Sequence, residues 1–161
     1  MSAVDNIPQD MHAITPHLVC RNAADAIAFY QKAFGAIELV RAPMPDGSGK
    51  LMHAMVKIGD SPIMLADEFP ERYCIGPQDL PSSPVTLHHY VADVDASWQR
   101  AIDAGATAVM PPQDMFWGDR YSVLRDPFGH SWALATHIRD VSTADAIEAS
   151  KAAIAAPETV G

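Results

Sequence analysis

Along residues 14–35 the apolar side chains change period. Ile14, Leu18 and Cys20 keep to alternate positions, as on one face of a strand, and Thr15, His17 and Val19 take the other face. From Ala23 the spacing lengthens, and Ala23, Ile27, Tyr30 and Phe34 recur at helical intervals. Asn22 stands where a side-chain oxygen can accept from the unpaired N–H groups of the first turn, and Gly35 suits the left-handed residue that closes a helix. The same succession returns downstream. "TPHLVCRNAADAIAFYQKAFGA" and "TLHHYVADVDASWQRAIDAGA" both read Thr-x-His, a β-rich run, a helix and Gly-Ala. In the second copy Asp93 or Asp95 caps, Trp98, Ala101 and Ile102 make the stripe, and Gly105 ends it.

Strand material follows each helix. After the first come "AIELVRA", the turn "MPDGSG", "KLMHAMVKI", the tight "GDS" and "PIMLAD". After the second come "ATAVM", a proline-rich loop "PPQDMFWGD", "RYSVLR", the turn "DPFG" and "HSWALATH". An internal repeat at this scale is a fold-level signal. It predicts an α+β chain of two βαβββ modules, at 12–67 and 85–140. A tail at 1–11 precedes them, and an aperiodic proline-bearing linker at 68–84 joins them. The last stretch, 141–161, is a helical tail, either loosely attached or docked on a partner subunit.

Strand parity then sorts the faces. In the last strand Ser131, Ala133, Ala135 and His137 oppose His130, Trp132, Leu134 and Thr136. An odd separation keeps His130 and His137 from sharing a metal on an unbulged strand. In 85–91, Thr86, His88 and Tyr90 oppose Val85, Leu87, His89 and Val91. If the smaller faces turn inward, they line a cavity with Thr15, His17, Met64, Thr86, His88, Tyr90, Ala133, Ala135 and His137. Apolar walls with a few converging polar groups are what small-molecule sites look like.

His17 and His88 occupy matching positions of the repeat. Three roles stay open for them: hydrogen-bonded wall groups, ligand contact or acid–base work, and a displaced metal site using both with His137 or a shifted partner. His53, on a face with Met55 and Lys57, reads as a rim residue. In "FWGDR", Arg120 could clamp a carboxylate or phosphate and Trp117 could cover a flat ligand. Alternatively Asp119 and Arg120 pair locally and Trp117 plugs the core edge. "DPFGH" reads as a turn, with Pro fixing φ and Gly supplying the positive φ.

Composition narrows the classes. The chain has 161 residues, 48% of them apolar, which is enough for a core. A net charge of −9 argues against nucleic acid and against an anionic membrane surface as partners. No apolar run is long enough for a transmembrane helix, and the acidic start lacks a signal-peptide core. Cys20 and Cys74 make no disulfide framework, so a reduced, cytoplasmic compartment is the simplest expectation.

The pieces "AFYQKAFGA", "DVDA" and "FWGDRYSVLRDPFGHSWALATH", set in paired modules over residues 12–140, resemble the vicinal oxygen chelate superfamily. That superfamily holds glyoxalase I, bleomycin-resistance proteins and extradiol dioxygenases. "FWGDR", "DPFGH" and "ATH" are similar to its PhnB-like subgroup. The resemblance implies curved mixed sheets around a cup-shaped cavity, a small organic ligand, and a homodimer in many relatives. Metal-dependent members place a ligand on the first and last strand of each module, positions that fall here on Thr15, Met64, Thr86 and Ala133. None is a usual ligand for a catalytic divalent metal. The expectation is a small-molecule-binding protein with no metal and no other cofactor. The alternative is an isomerase, lyase or dioxygenase in which His17 and His88 act as acid–base groups or bind a divalent metal. A mere dimerisation module would explain neither the small inner residues nor the paired histidines.

Overall fold

The computed structural model describes residues 5–155, so the outer ends of both expected tails lie outside the described residues. Helix α1 (Ala23–Phe34) begins where the Asn22 side chain accepts from the Asp25 N–H at 3.2 Å, and it ends at Gly35 with φ 66°. Helix α2 (Val94–Ala104) repeats the device: Asp93 accepts from the Ala96 N–H at 3.0 Å, and Gly105 closes it at φ 118°. Asp93 is thus the cap, which leaves Asp95 for another use.

Eight strands complete the two modules. The first holds β1 (His17–Cys20), β2 (Ile37–Pro43), β3 (Leu51–Ile58) and β4 (Ser61–Asp67) in the order β1-β4-β3-β2. The second holds β5 (Thr86–Tyr90), β6 (Thr107–Asp114), β7 (Asp119–Arg125) and β8 (Ser131–His137) in the order β5-β8-β7-β6. The first strand of each sheet pairs in parallel with the last, and the other pairings are antiparallel. Each parallel pair needs a crossover, which the module's helix and its other strands supply. The expected α+β chain of two βαβββ modules is therefore present, but the two sheets do not join into one closed structure.

Two segments depart from the sequence reading. Strand β6 runs on through Pro111 and Pro112 to Asp114, where a loop was expected. It is the sheet's outer strand and its register slips between Met110 and Gln113, so prolines without an N–H are tolerated there. The linker is also more ordered than its prolines suggest. It forms two short 3₁₀ turns, Pro70–Arg72 and Pro77–Asp79, and is fastened at both ends. Arg21 binds Glu68 and Asp79, and Arg125 donates to the carbonyls of Pro77, Leu80 and Pro81.

One core serves both modules. Val56 and Leu65 of the first sheet, Leu124, Trp132 and Leu134 of the second, and the inner faces of both helices belong to it. Helix α1 bridges the halves: Tyr30 and Phe34 meet the Trp132 ring at 5.4 and 4.5 Å between centroids. The turn "DPFG" seals the seam. The Asp126 carboxylate is 3% exposed and accepts from the Tyr30 hydroxyl at 2.7 Å. It also accepts from Trp132 Nε1 and from the N–H groups of Phe128 and His130, each at 2.9 Å. That packing uses up the helix-facing side of each sheet and leaves the opposite sides open. Helix α3 (Thr143–Ala155) packs on no other element among the described residues.

Candidate functional site

The open face of the second sheet carries Thr86, His88 and Tyr90 from β5, Ser131, Ala133, Ala135 and His137 from β8, and Asp119, Tyr121 and Val123 from β7. His88 and Tyr121 stand on strands separated by β8, hence about 9.6 Å apart at the backbone. Their ring centroids are 5.8 Å apart, so the rings lean inward over the middle strand. Alanine at 133 and 135 permits this, and both alanines are fully buried. Tyr90 stacks obliquely on His88 at 4.7 Å, and Trp117 meets Tyr121 edge-on at 5.4 Å. The result is a continuous aromatic ladder, Tyr90–His88–Tyr121–Trp117, across the face.

Asp119 anchors one end of this ladder. Its carboxylate is 4% exposed and accepts from the Tyr90 hydroxyl at 2.9 Å, from Trp117 Nε1 at 3.2 Å and from His137 Nδ1 at 2.8 Å. Burial alone would push its pKa up, but the hydrogen bonds from His137, Tyr90 and Trp117 outweigh it and hold it below the usual carboxylate value. His137 Nε2 faces Asp140 at 3.0 Å. A carboxylate at each ring nitrogen favours the imidazolium, which alone donates from both. Asp140 and then Asp119 accordingly raise the His137 pKa. Tyr90 is raised too, first by its bond to Asp119. Its hydroxyl proton is committed, so towards a ligand the Tyr90 oxygen acts as an acceptor.

The first sheet repeats the leaning arrangement with other side chains. His17 of β1 and His53 of β3 flank β4, yet their ring centroids lie 5.8 Å apart and edge to face. Met64 is the register partner of His17, and Met55 is the partner of Met64. Burial, then the neighbouring His53, lowers the His17 pKa. The Thr15 hydroxyl is buried with no hydrogen-bond partner among the described residues, a condition that a ligand atom would relieve.

Within one chain His17 and His88 do not converge. His17 borders an apolar groove of about 630 Å³ between the free edge of β1 and the linker, lined by Val19, Ile75, Leu80, Val85 and Leu87. His88 and Tyr90 border a separate hollow of about 460 Å³ with Ile14, Pro16, Asp60 and Pro62. Arg120 points to the helix side, where Asp95 and Asp114 hold its guanidinium at 2.7 and 2.9 Å. Trp117 is half-buried and bound to Asp119. Thr86 donates to the Ser131 hydroxyl at 3.2 Å. His53, Asp119 and Tyr121 were not singled out as open-face groups from the sequence, although parity along β3 and β7 would have placed them there.

Thr15, Met64, Thr86 and Ala133, the positions to which the resemblance assigns metal ligands, do not fit a divalent ion. They offer two hydroxyls, one of them bound to Ser131, a thioether and a methyl group.

Comparison with known proteins agrees with this architecture. Residues 11–134 match the model of the Glyoxalase/Bleomycin resistance protein/Dioxygenase superfamily. An uncharacterised protein of Mycobacterium bovis is 50% identical over 142 residues, covering 86% of this chain and 91% of that one. The crystal structure of TioX from Micromonospora sp. ML1 superposes with a TM-score of 0.61 at 26% identity, over 79% of this chain and 99% of that one. A PhnB protein from Bacillus cereus, at 17% identity, shares the fold with a TM-score of 0.62 over 78% of this chain and 99% of its own.

Proposed function

The chain belongs to the glyoxalase/bleomycin resistance protein/dioxygenase superfamily, and on that footing we propose that it is a PhnB-like, metal-free binding protein for a small planar organic molecule. The aromatic ladder on the second sheet carries this reading. Rings that lean over a floor of two alanines, tilted by 31 to 76° to one another, form an uneven aromatic platform, which attracts a planar π-system in offset or edge-on contact. The Tyr90 oxygen, held as an acceptor by Asp119, adds a fixed point for a ligand O–H or N–H.

A platform is one wall of a cup, and among the described residues the hollow beside it reaches only its His88–Tyr90 end, which leaves an opposite wall to be supplied. We infer that a second copy supplies it, so that the first sheet of one protomer faces the second sheet of its partner. The exposed Tyr90 and His88 and the unpaired Thr15 hydroxyl support that arrangement. An acid–base enzyme is the second reading. The observation favouring it is His137, gripped by Asp119 at the edge of the same face.

A thermal-shift series with 1-naphthol, quinoline and acridine tests the binding reading, since a ligand that prefers the native state raises its stability. At least one of these probes raises the melting midpoint of the native protein, and Tyr121→Ala removes the rise. A series in which no probe shifts the midpoint, or in which Tyr121→Ala responds like the native chain, contradicts it.

A further inference from the structure

We propose that the open face of the first sheet is a site for a soft monovalent metal ion, copper(I), held between His17, His53, Met64 and Met55. This goes beyond the ligand reading above and rests on a different sheet. The donors are brought together by register. Met64 stands beside His17 on the adjoining strand, and Met55 beside Met64 on the next. His53 lies one row along β3, and its ring comes within 5.8 Å of His17 across β4. The imidazole χ2 torsions are soft, so either ring turns its nitrogen toward the other at little cost.

The donor chemistry selects the ion. Two thioethers are soft donors and two imidazoles borderline ones, a set suited to copper(I) rather than to calcium, magnesium or manganese. Among the described residues, the strand register puts no carboxylate on this face and one charged side chain, Lys57, one row beyond Met55. Among the described residues no group of three or more His, Cys, Asp or Glu side chains could hold a metal, which argues against a hard-ion site here. His53, Met64 and Met55 are half-buried while His17 is exposed at the rim, so the thioethers are partly screened from water and an ion can still reach them.

The second module is a built-in control. Its rows match those of the first, with His88 for His17, Ala133 for Met64, Val123 for Met55 and Tyr121 for His53. One imidazole remains there and every sulfur is gone. The proposed site therefore lies within one module and shares only Met64 with the positions that metal-dependent relatives use.

Cys74 is the one thiol with solvent access, Cys20 being fully buried, so the test uses the full chain carrying Cys74→Ser. Anaerobic titration with copper(I) against bicinchoninate is expected to show one ion per chain withheld from the chelator. His53→Gln and Met64→Leu each weaken that binding by about tenfold or more, while His88→Ala leaves it unchanged, and zinc(II) does not displace the ion. X-ray absorption of the loaded protein shows sulfur as well as nitrogen neighbours of copper. No ion withheld, absent sulfur scattering, or unweakened binding in both variants overturns the proposal. The sulfur signature is read on the chain with native donors, so a variant that failed to fold would not shelter it.

Discussion

Asp126 and Asp119 both stand beside turn glycines in the second module, and their carboxylates are put to different uses. Asp126 takes four donors from two modules and has no ligand-facing role. Asp126→Ala strands a buried hydroxyl, an indole N–H and two backbone N–H groups, so urea unfolding should show a loss of about 3 kcal/mol. Asp119 spends its bonds on groups that face outward. Its partner His137 has a raised pKa, so their pairing stabilises the fold below the ordinary imidazole range and is lost as pH rises through the raised value. A proton-detected titration of the His137 ring should give a midpoint above that of a free imidazole, falling in Asp119→Asn. A midpoint that does not move would mean that Asp140 alone sets it. Arg120 shows where adjacency misleads. Neighbours on a strand point to opposite faces, so an Asp119–Arg120 pair was excluded by the β7 geometry that parity itself describes.

At the level of elements, the repeat, both helices and most strands were legible because their signals are local: a capping side chain, an apolar period, a closing glycine. The path of β6 was not, because whether a strand survives two prolines depends on its being at the edge, which is a property of the sheet. The linker's order was hidden for a similar reason. It is imposed by arginines distant in sequence and by a close approach to the "DPFG" turn. At Gly129, with φ 92°, an added Cβ would sit 2.6 Å from the backbone of Gln78. Gly129→Ala should therefore cost about 2 kcal/mol in a denaturant melt, more than a turn glycine facing solvent would. The leaning rings were half legible: parity placed His17, His88 and Tyr90 on the open faces. Their partners on β3 and β7 depend on how far a side chain reaches across a small middle strand, and periodicity does not encode that distance.

For the whole molecule, one core that consumes the helix-facing side of both sheets leaves two unpartnered faces, and the account assigns these to ligand and partner. Sedimentation velocity should then find a dimer at micromolar concentration, and a monomer throughout would remove the second wall of the cup. The face of the second sheet competes with the apolar groove along β1, whose polar side chains are His17, Ser83 and His130 and whose other walls are mostly apolar. Amide and aromatic chemical-shift mapping with the best stabiliser among 1-naphthol, quinoline and acridine separates the two. The account predicts that the largest shifts fall on His88, Tyr90, Trp117 and Tyr121. Shifts gathered instead on Ile75, Leu80 and Val85, with those rings unmoved, would contradict it.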